Sequence, residues 1–131
     1  MFHLKKTLLI VDDEPAIQLI LEHYFAGDFN VVLTSNGQEA LDWLQAGHYA
    51  DAIVADYEMP RLNGLEFIRA LRALPAHENV PLLMLSASDE TSKKIVCLRA
   101  GADDYLVKPF NPEELEIRIQ KMLGRVGVQA S

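Results

Sequence analysis

The stretch Thr7-Leu8-Leu9-Ile10-Val11-Asp12-Asp13-Glu14-Pro15 runs from an apolar segment straight into three carboxylates and a proline. An apolar run that short, with no alternation, suits a central strand covered on both faces. Pro15 is pre-set for the first turn of a helix. The stretch therefore reads as a strand, an acidic turn and the start of a helix. Working outward, the same unit recurs. Thr7 to Val11 is followed by predicted strands at Val31 to Thr34, Ala52 to Ala55, Pro81 to Ser86 and Tyr105 to Val107. Between them, Ile17, Ile20, Leu21 and Tyr24 keep helical spacing, as do Ala40, Trp43 and Leu44 after the Ser35-Asn36-Gly37 turn. Phe67, Leu71 and Leu74 mark a third helix that must stop near Pro75. Ile95 and Leu98 mark a fourth, ended by Ala100-Gly101. Leu115, Ile119 and Met122 mark a fifth, opened by Asn111 and Pro112.

Five such units predict one α/β domain, a parallel sheet with helices on both faces. In sheets of that kind the functional crevice lies beyond the carboxyl ends of the strands. The sequence puts Asp12, Asp13 and Glu14 after the first strand, Asp56 after the third, Ser86 after the fourth and Lys108 after the fifth. Gathered aspartates raise one another's pKa unless a cation joins them. A hard divalent ion resolves that conflict, and Mg²⁺ suits one or two direct carboxylates plus water. With the Lys108 ammonium and the Ser86 hydroxyl, it would neutralise the equatorial oxygens of a transferring phosphoryl group. Asp56 is then the candidate nucleophile. Each residue alone has a plainer reading: Asp12 to Pro15 as loop and helix cap, Asp56 as a turn residue, Lys108 as a solvated surface lysine. Complementary chemistries at four strand ends together favour the site.

The composition narrows the field. The 131 residues fit one domain, expected over 1–124, with 125–131 as a loose tail or the start of a linker. A net charge of -7 argues against a direct nucleic-acid partner, which would need a basic face. The one cysteine, Cys97, excludes an intramolecular disulfide and reads as core packing in a reducing compartment. Leu8 to Val11 is too short for a signal peptide or membrane span, so a cytoplasmic protein with no membrane partner is expected. His3, His23, His48 and His77 fit neither a metal spacing nor a phosphotransfer helix, so the phosphoryl donor must be another molecule.

Taken together, the sequence resembles the response-regulator receiver domains of two-component signalling, from Leu8 to about Leu123. The resemblance is carried by Leu9-Ile10-Val11-Asp12-Asp13-Glu14, Asp56-Tyr57-Glu58-Met59-Pro60 with Gly64, Ser86-Ala87, Gly101-Ala102-Asp103-Asp104-Tyr105 and Lys108-Pro109-Phe110. It implies a doubly wound, flavodoxin-like sheet of order 2-1-3-4-5. It implies that Asp56 takes phosphate from a sensor histidine kinase, a phosphotransfer protein or a small donor such as acetyl phosphate. Asp13, Asp56 and the backbone carbonyl of Glu58 would bind Mg²⁺ directly, with Asp12 acting mostly through water. Lys108 would pair with the phosphoryl group, aimed by a cis peptide to Pro109. Ser86 would move to hydrogen-bond it, letting Tyr105 turn inward and changing the surface of helix four, strand five and helix five. That surface would control a downstream effector or output domain, by a shift of populations. The protein is not expected to be an enzyme beyond its own phosphorylation and dephosphorylation.

Glu58 sets a further carboxylate beside the acceptor, at a position that, with Ser88, tunes acyl-phosphate lifetime in the family. It could point away, pair with a cation or disturb the attacking water. Lys93, Lys94, Asp104 and Arg118 lie where such domains form homodimers, although a solvated charged face explains them equally well. Two rivals differ in class. A Mg²⁺-dependent phosphatase using an aspartyl phosphate would need its aspartate pair spaced differently after the first strand, and a cap domain. A phosphorylation-independent interaction module would not need the full acidic pair, acceptor, hydroxyl and lysine.

Overall fold

The computed structural model describes residues 5–130, and the side chains of residues 5–124. Its elements alternate: β1 (Lys6–Val11), α1 (Pro15–Phe25), β2 (Phe29–Thr34), α2 (Gly37–Gln45), β3 (Ala52–Asp56), α3 (Gly64–Arg72), a 3-10 turn (Pro75–His77), β4 (Leu82–Ser86), α4 (Thr91–Ala100), β5 (Asp104–Val107) and α5 (Pro112–Ala130). The five strands form one parallel sheet in the order β2-β1-β3-β4-β5, the doubly wound flavodoxin-like arrangement expected. Successive side chains of a strand point to opposite faces, so the unbroken apolar strands supply two cores. Leu9, Val11, Ile53, Ala55, Leu82 and Met84 pack with Ala40, Leu44, Phe67, Ile68 and Cys97 on one face. Leu8, Ile10, Ala52, Val54, Leu83 and Leu85 pack with Leu21, Phe25, Leu115 and Ile119 on the other. Each buried Val, Leu, Ile, Phe or Met among them contributes about 1.5–3 kcal/mol over leaving it in water.

Local chemistry sets the helix ends. Asn36 accepts from the Glu39 amide and so starts α2, and Asn63 and Glu66 close a reciprocal capping box on α3. Asn111 accepts from the Glu113 amide at the start of α5. Gly101, at φ 127°, ends α4 as read from the sequence. At the end of the sheet away from the strand carboxyl termini, Arg72 donates to the carbonyls of Gly101 and His77.

The structure corrects several details. Of the α1 stripe, Leu21 is buried as expected and Ile17 partly so, but Ile20 and Tyr24 are exposed, and Phe25 is the other buried residue. Ile95 and Leu98 also face outward, and Cys97 is the fully buried residue of α4. In both helices the spacing is helical but the buried face is turned from the one expected, partly in α1 and wholly in α4, because apolar residues continue around the helix. β2 begins at Phe29, two residues early, and β4 at Leu82 rather than Pro81. The helix α5 runs to Ala130. Ser131 lies outside the described residues. Among the described residues, no helix is long and apolar enough to cross a membrane.

Candidate functional site

Strand register assembles the site. Val11 lies opposite Ala55 and Asp56 opposite Leu85, so the residues ending β1, β3 and β4 emerge side by side. Asp12 and Asp56 are 1% and 2% exposed, while Asp13 is exposed at the mouth. One carboxylate oxygen from each of Asp12, Asp13 and Asp56 lies within 4.8 Å of the other two. Lys108 enters from beyond β5, its amide donating to the Ser86 carbonyl at 2.7 Å and its peptide to Pro109 cis, as expected. Its Nζ is 3.1 Å from Asp56 Oδ1, 3.6 Å from Asp12 Oδ2 and 3.7 Å from Glu14 Oε1.

Two buried carboxylates thus share one ammonium. Burial, reinforced by Asp12, pushes Asp56 up against the pull of Lys108, to about 6. Burial likewise raises Asp12, against the Glu14 amide and Lys108, which lower it. For Lys108, burial disfavours the charge, but Asp56 and Asp12 outweigh it and hold the ammonium above its ordinary value. Asp12 Oδ1 accepts from the Glu14 amide, whereas the buried Oδ2 has no hydrogen-bond donor. That orphaned oxygen, with three carboxylates converging, fits a hard divalent cation.

The loop after β3 is tied down by its backbone. The Tyr57 amide donates to the Leu85 carbonyl, and the Tyr57 carbonyl accepts from Met59 and Gly64. A β-carbon on Gly64 would lie 2.6 Å from the Tyr57 ring and 2.8 Å from Tyr57 Cα, so this close approach requires glycine. Arg61 sits at φ 70° in the same loop.

Across the crevice, Ser86 is buried and donates to Glu58 Oε2 at 2.7 Å. The Ala87 amide donates to Glu58 Oε1 at 2.9 Å, and the Ser88 amide donates to Ser86 Oγ. Lys93 Nζ stands 3.6 Å from Glu58 Oε2 and 4.3 Å above the Tyr57 ring centre. Burial alone would raise the Glu58 pKa, but the Ala87 and Ser86 donors outweigh it and hold the carboxyl below its usual range. Of the three outcomes left open for Glu58, pairing with a cation is the one observed, joined by two donors that spacing could not reveal. Tyr105 is 3% exposed, its hydroxyl donating to the Ser88 carbonyl. It is already turned inward here, with the Ser86 hydroxyl already held by a carboxylate.

The four residues of the candidate dimer face are largely committed within the chain. Lys93 faces Glu58, and Arg118 grips Asp104 at 2.9 and 3.0 Å as well as Glu114. Among the described residues, Lys94 alone of the four lacks an intrachain ion pair. Cys97 is buried, which pushes its thiol up and suits the packing role expected.

Residues 8–120 match the response regulator receiver domain. The chain is 39% identical over 128 residues to a probable transcriptional regulator, ycf27, of Porphyridium aerugineum, covering 97% of this chain and 52% of that protein. It spans about half the length of the curated relatives it matches. Among solved structures, a putative response regulator of Chloroflexus aurantiacus is similar at TM-score 0.86 and 36% identity, over 92% of this chain and 99% of that one. The receiver domain of a sensor histidine kinase of Pseudomonas aeruginosa, with magnesium coordinated in its active-site cleft, reaches TM-score 0.83 and 31% identity over 92% and 99%.

Proposed function

The chain belongs to the response regulator receiver domain family, and on that premise we propose that it is a phosphoryl-accepting switch with Asp56 as acceptor. The observation that carries this reading is the Lys108 ammonium 3.1 Å from Asp56 Oδ1, in a crevice whose three aspartates fit a divalent cation. An Asp56 oxygen attacks the phosphorus of a phosphohistidine on a sensor histidine kinase or phosphotransfer protein. The P–N bond breaks, its electron pair returns to the imidazole, and the new P–O bond makes an aspartyl phosphate. In hydrolysis, water attacks that phosphorus and the Asp56 carboxylate leaves. The protein catalyses these two steps on itself and is not otherwise an enzyme.

Mg²⁺, when bound, would supply positive charge to the phosphoryl oxygens. Asp13, Asp56 and the Glu58 carbonyl would hold it, with Asp12 acting mostly through water. The Pseudomonas neighbour with magnesium in its cleft supports that choice of ion. Lys108 holds a transferred oxygen by charge, and Ser86 donates its hydroxyl to another. Tyr105 and the α4-β5-α5 surface carry the change to an output domain, an effector or a second copy of the chain. An open groove lined by Ile17, Ile20, Pro109 and Phe110 lies beside Lys108 and suits the approach of the donor protein. The net charge of -7 favours protein over nucleic-acid partners for this domain.

Intact mass with acetyl phosphate and Mg²⁺ tests the reading. A single labile phosphoryl adduct, absent from Asp56→Asn and without Mg²⁺, is expected. No adduct, together with no NMR response to beryllofluoride, would leave a phosphorylation-independent binding module.

A further inference from the structure

Two donors beside the acceptor are already spoken for. The Ser86 hydroxyl has one proton and gives it to Glu58 Oε2, while the same oxygen accepts from the Ser88 amide. The Ala87 amide also has one proton and gives it to Glu58 Oε1. A hydroxyl and an amide converging on the two oxygens of one anion make a small oxyanion-binding pair. Each can serve one acceptor well at a time.

The anion that fills the pair comes from the acceptor's own loop. The Glu58 amide donates to Asp56 Oδ1 at 3.2 Å, and the backbone on either side is fixed by Tyr57, Met59 and Gly64. Those bonds fix the backbone and leave the side-chain rotamer unset. The side chain is partly solvated, at 40% exposure, and has Lys93 at 3.6 Å on its outer side. A carboxylate turned away from Ser86 and Ala87 therefore meets water and a cation rather than an apolar wall.

Resting on the reading of Asp56 as phosphoryl acceptor, we propose that the Glu58 carboxylate is an internal competitor for the phosphoryl oxygens. It fills the Ser86 hydroxyl and the Ala87 amide, and a group transferred to Asp56 must turn it out before those donors can serve. Glu58 is thus a positioning residue that sets how strongly the site takes a phosphoryl group, beside any effect on how fast the group is lost.

The test compares wild type, Glu58→Ala and Glu58→Gln in two measurements. In the unliganded protein, the Ala87 amide resonance should shift in Glu58→Ala, where its acceptor is gone, and less in Glu58→Gln, which keeps an acceptor oxygen. In a beryllofluoride titration with Mg²⁺, Glu58→Ala should bind about tenfold more tightly than wild type, with Glu58→Gln between. In wild type, the Glu58 carboxyl carbon resonance should move as beryllofluoride binds. Equal affinities in wild type and Glu58→Ala, or an unchanged Ala87 amide, would overturn the competitor and leave the phosphoryl-accepting reading standing. Failure of every variant, and of wild type, to take beryllofluoride or phosphate would overturn both.

Discussion

On one wall of the crevice, Asp12 and Asp56 are 1% and 2% exposed and share the Lys108 ammonium. On the other, Glu58 is 40% exposed at its side chain, yet its carboxylate is satisfied by the Ser86 hydroxyl, the Ala87 amide and Lys93. The first wall concentrates like charge where water is scarce, and so stores a demand for a cation. The second meets its own charge at a solvated edge, where ion pairs are weak and side chains move cheaply. A buried, electrostatically unsatisfied wall suits chemistry; a satisfied, solvated one suits a switch.

The sharpest break of that comparison is between the two lysines. Lys108→Ala should slow phosphoryl uptake from acetyl phosphate by about a thousandfold, because it removes charge aimed at the transferred group. Lys93→Ala should change the uptake by about threefold or less, as expected for an exposed pair. Similar effects of the two would erase the distinction.

Next comes pH. Asp56 titrates at about 6 in the fold against 3.8 when unperturbed. The folded state therefore holds that proton more tightly than the unfolded one. The contribution to stability is fully present below about pH 4 and is lost as pH rises through about 6. In a chelator, Asp56→Asn should gain about 3 kcal/mol at pH 7 in urea unfolding, and almost nothing at pH 4. Added Mg²⁺ should narrow the gap by stabilising wild type. A gain independent of pH would mean that the acidic wall is not strained by charge.

Asp13→Asn sharpens the metal side of the comparison. Asp13 is exposed, so its loss should leave the fold intact and weaken Mg²⁺ binding about tenfold or more by calorimetry. The smallest effect belongs to the outer surface: Arg118→Ala should cost about 1 kcal/mol or less, since Arg118 is a partly solvated pair with Asp104 and Glu114.

How much of this was written in the chain divides along the same line. Leu8 to Val11 and Leu82 to Leu85 betray central strands because burial on both faces admits no polar residue. The acidic wall is equally legible, since strand ends in a parallel sheet must meet at one edge, and Asp12, Asp56 and Lys108 each follow a readable strand. The Glu58 wall is not legible in that way. Its key bond joins residues 28 apart through side-chain rotamers, and no periodicity encodes a rotamer. The outward Ile95 and Leu98 were hidden likewise, because helix phase is decided by packing neighbours.

Because a side chain at position 64 would collide with Tyr57, and the Gly64 amide is pinned to the Tyr57 carbonyl, the course of the loop after Asp56 is set without help from residue 58. Position 58 is therefore a free dial on a rigid mount. Carboxylate, amide or methyl can be exchanged there without re-laying the loop, so that one codon changes the occupant of the Ser86 and Ala87 donors while the machinery around it stays unchanged.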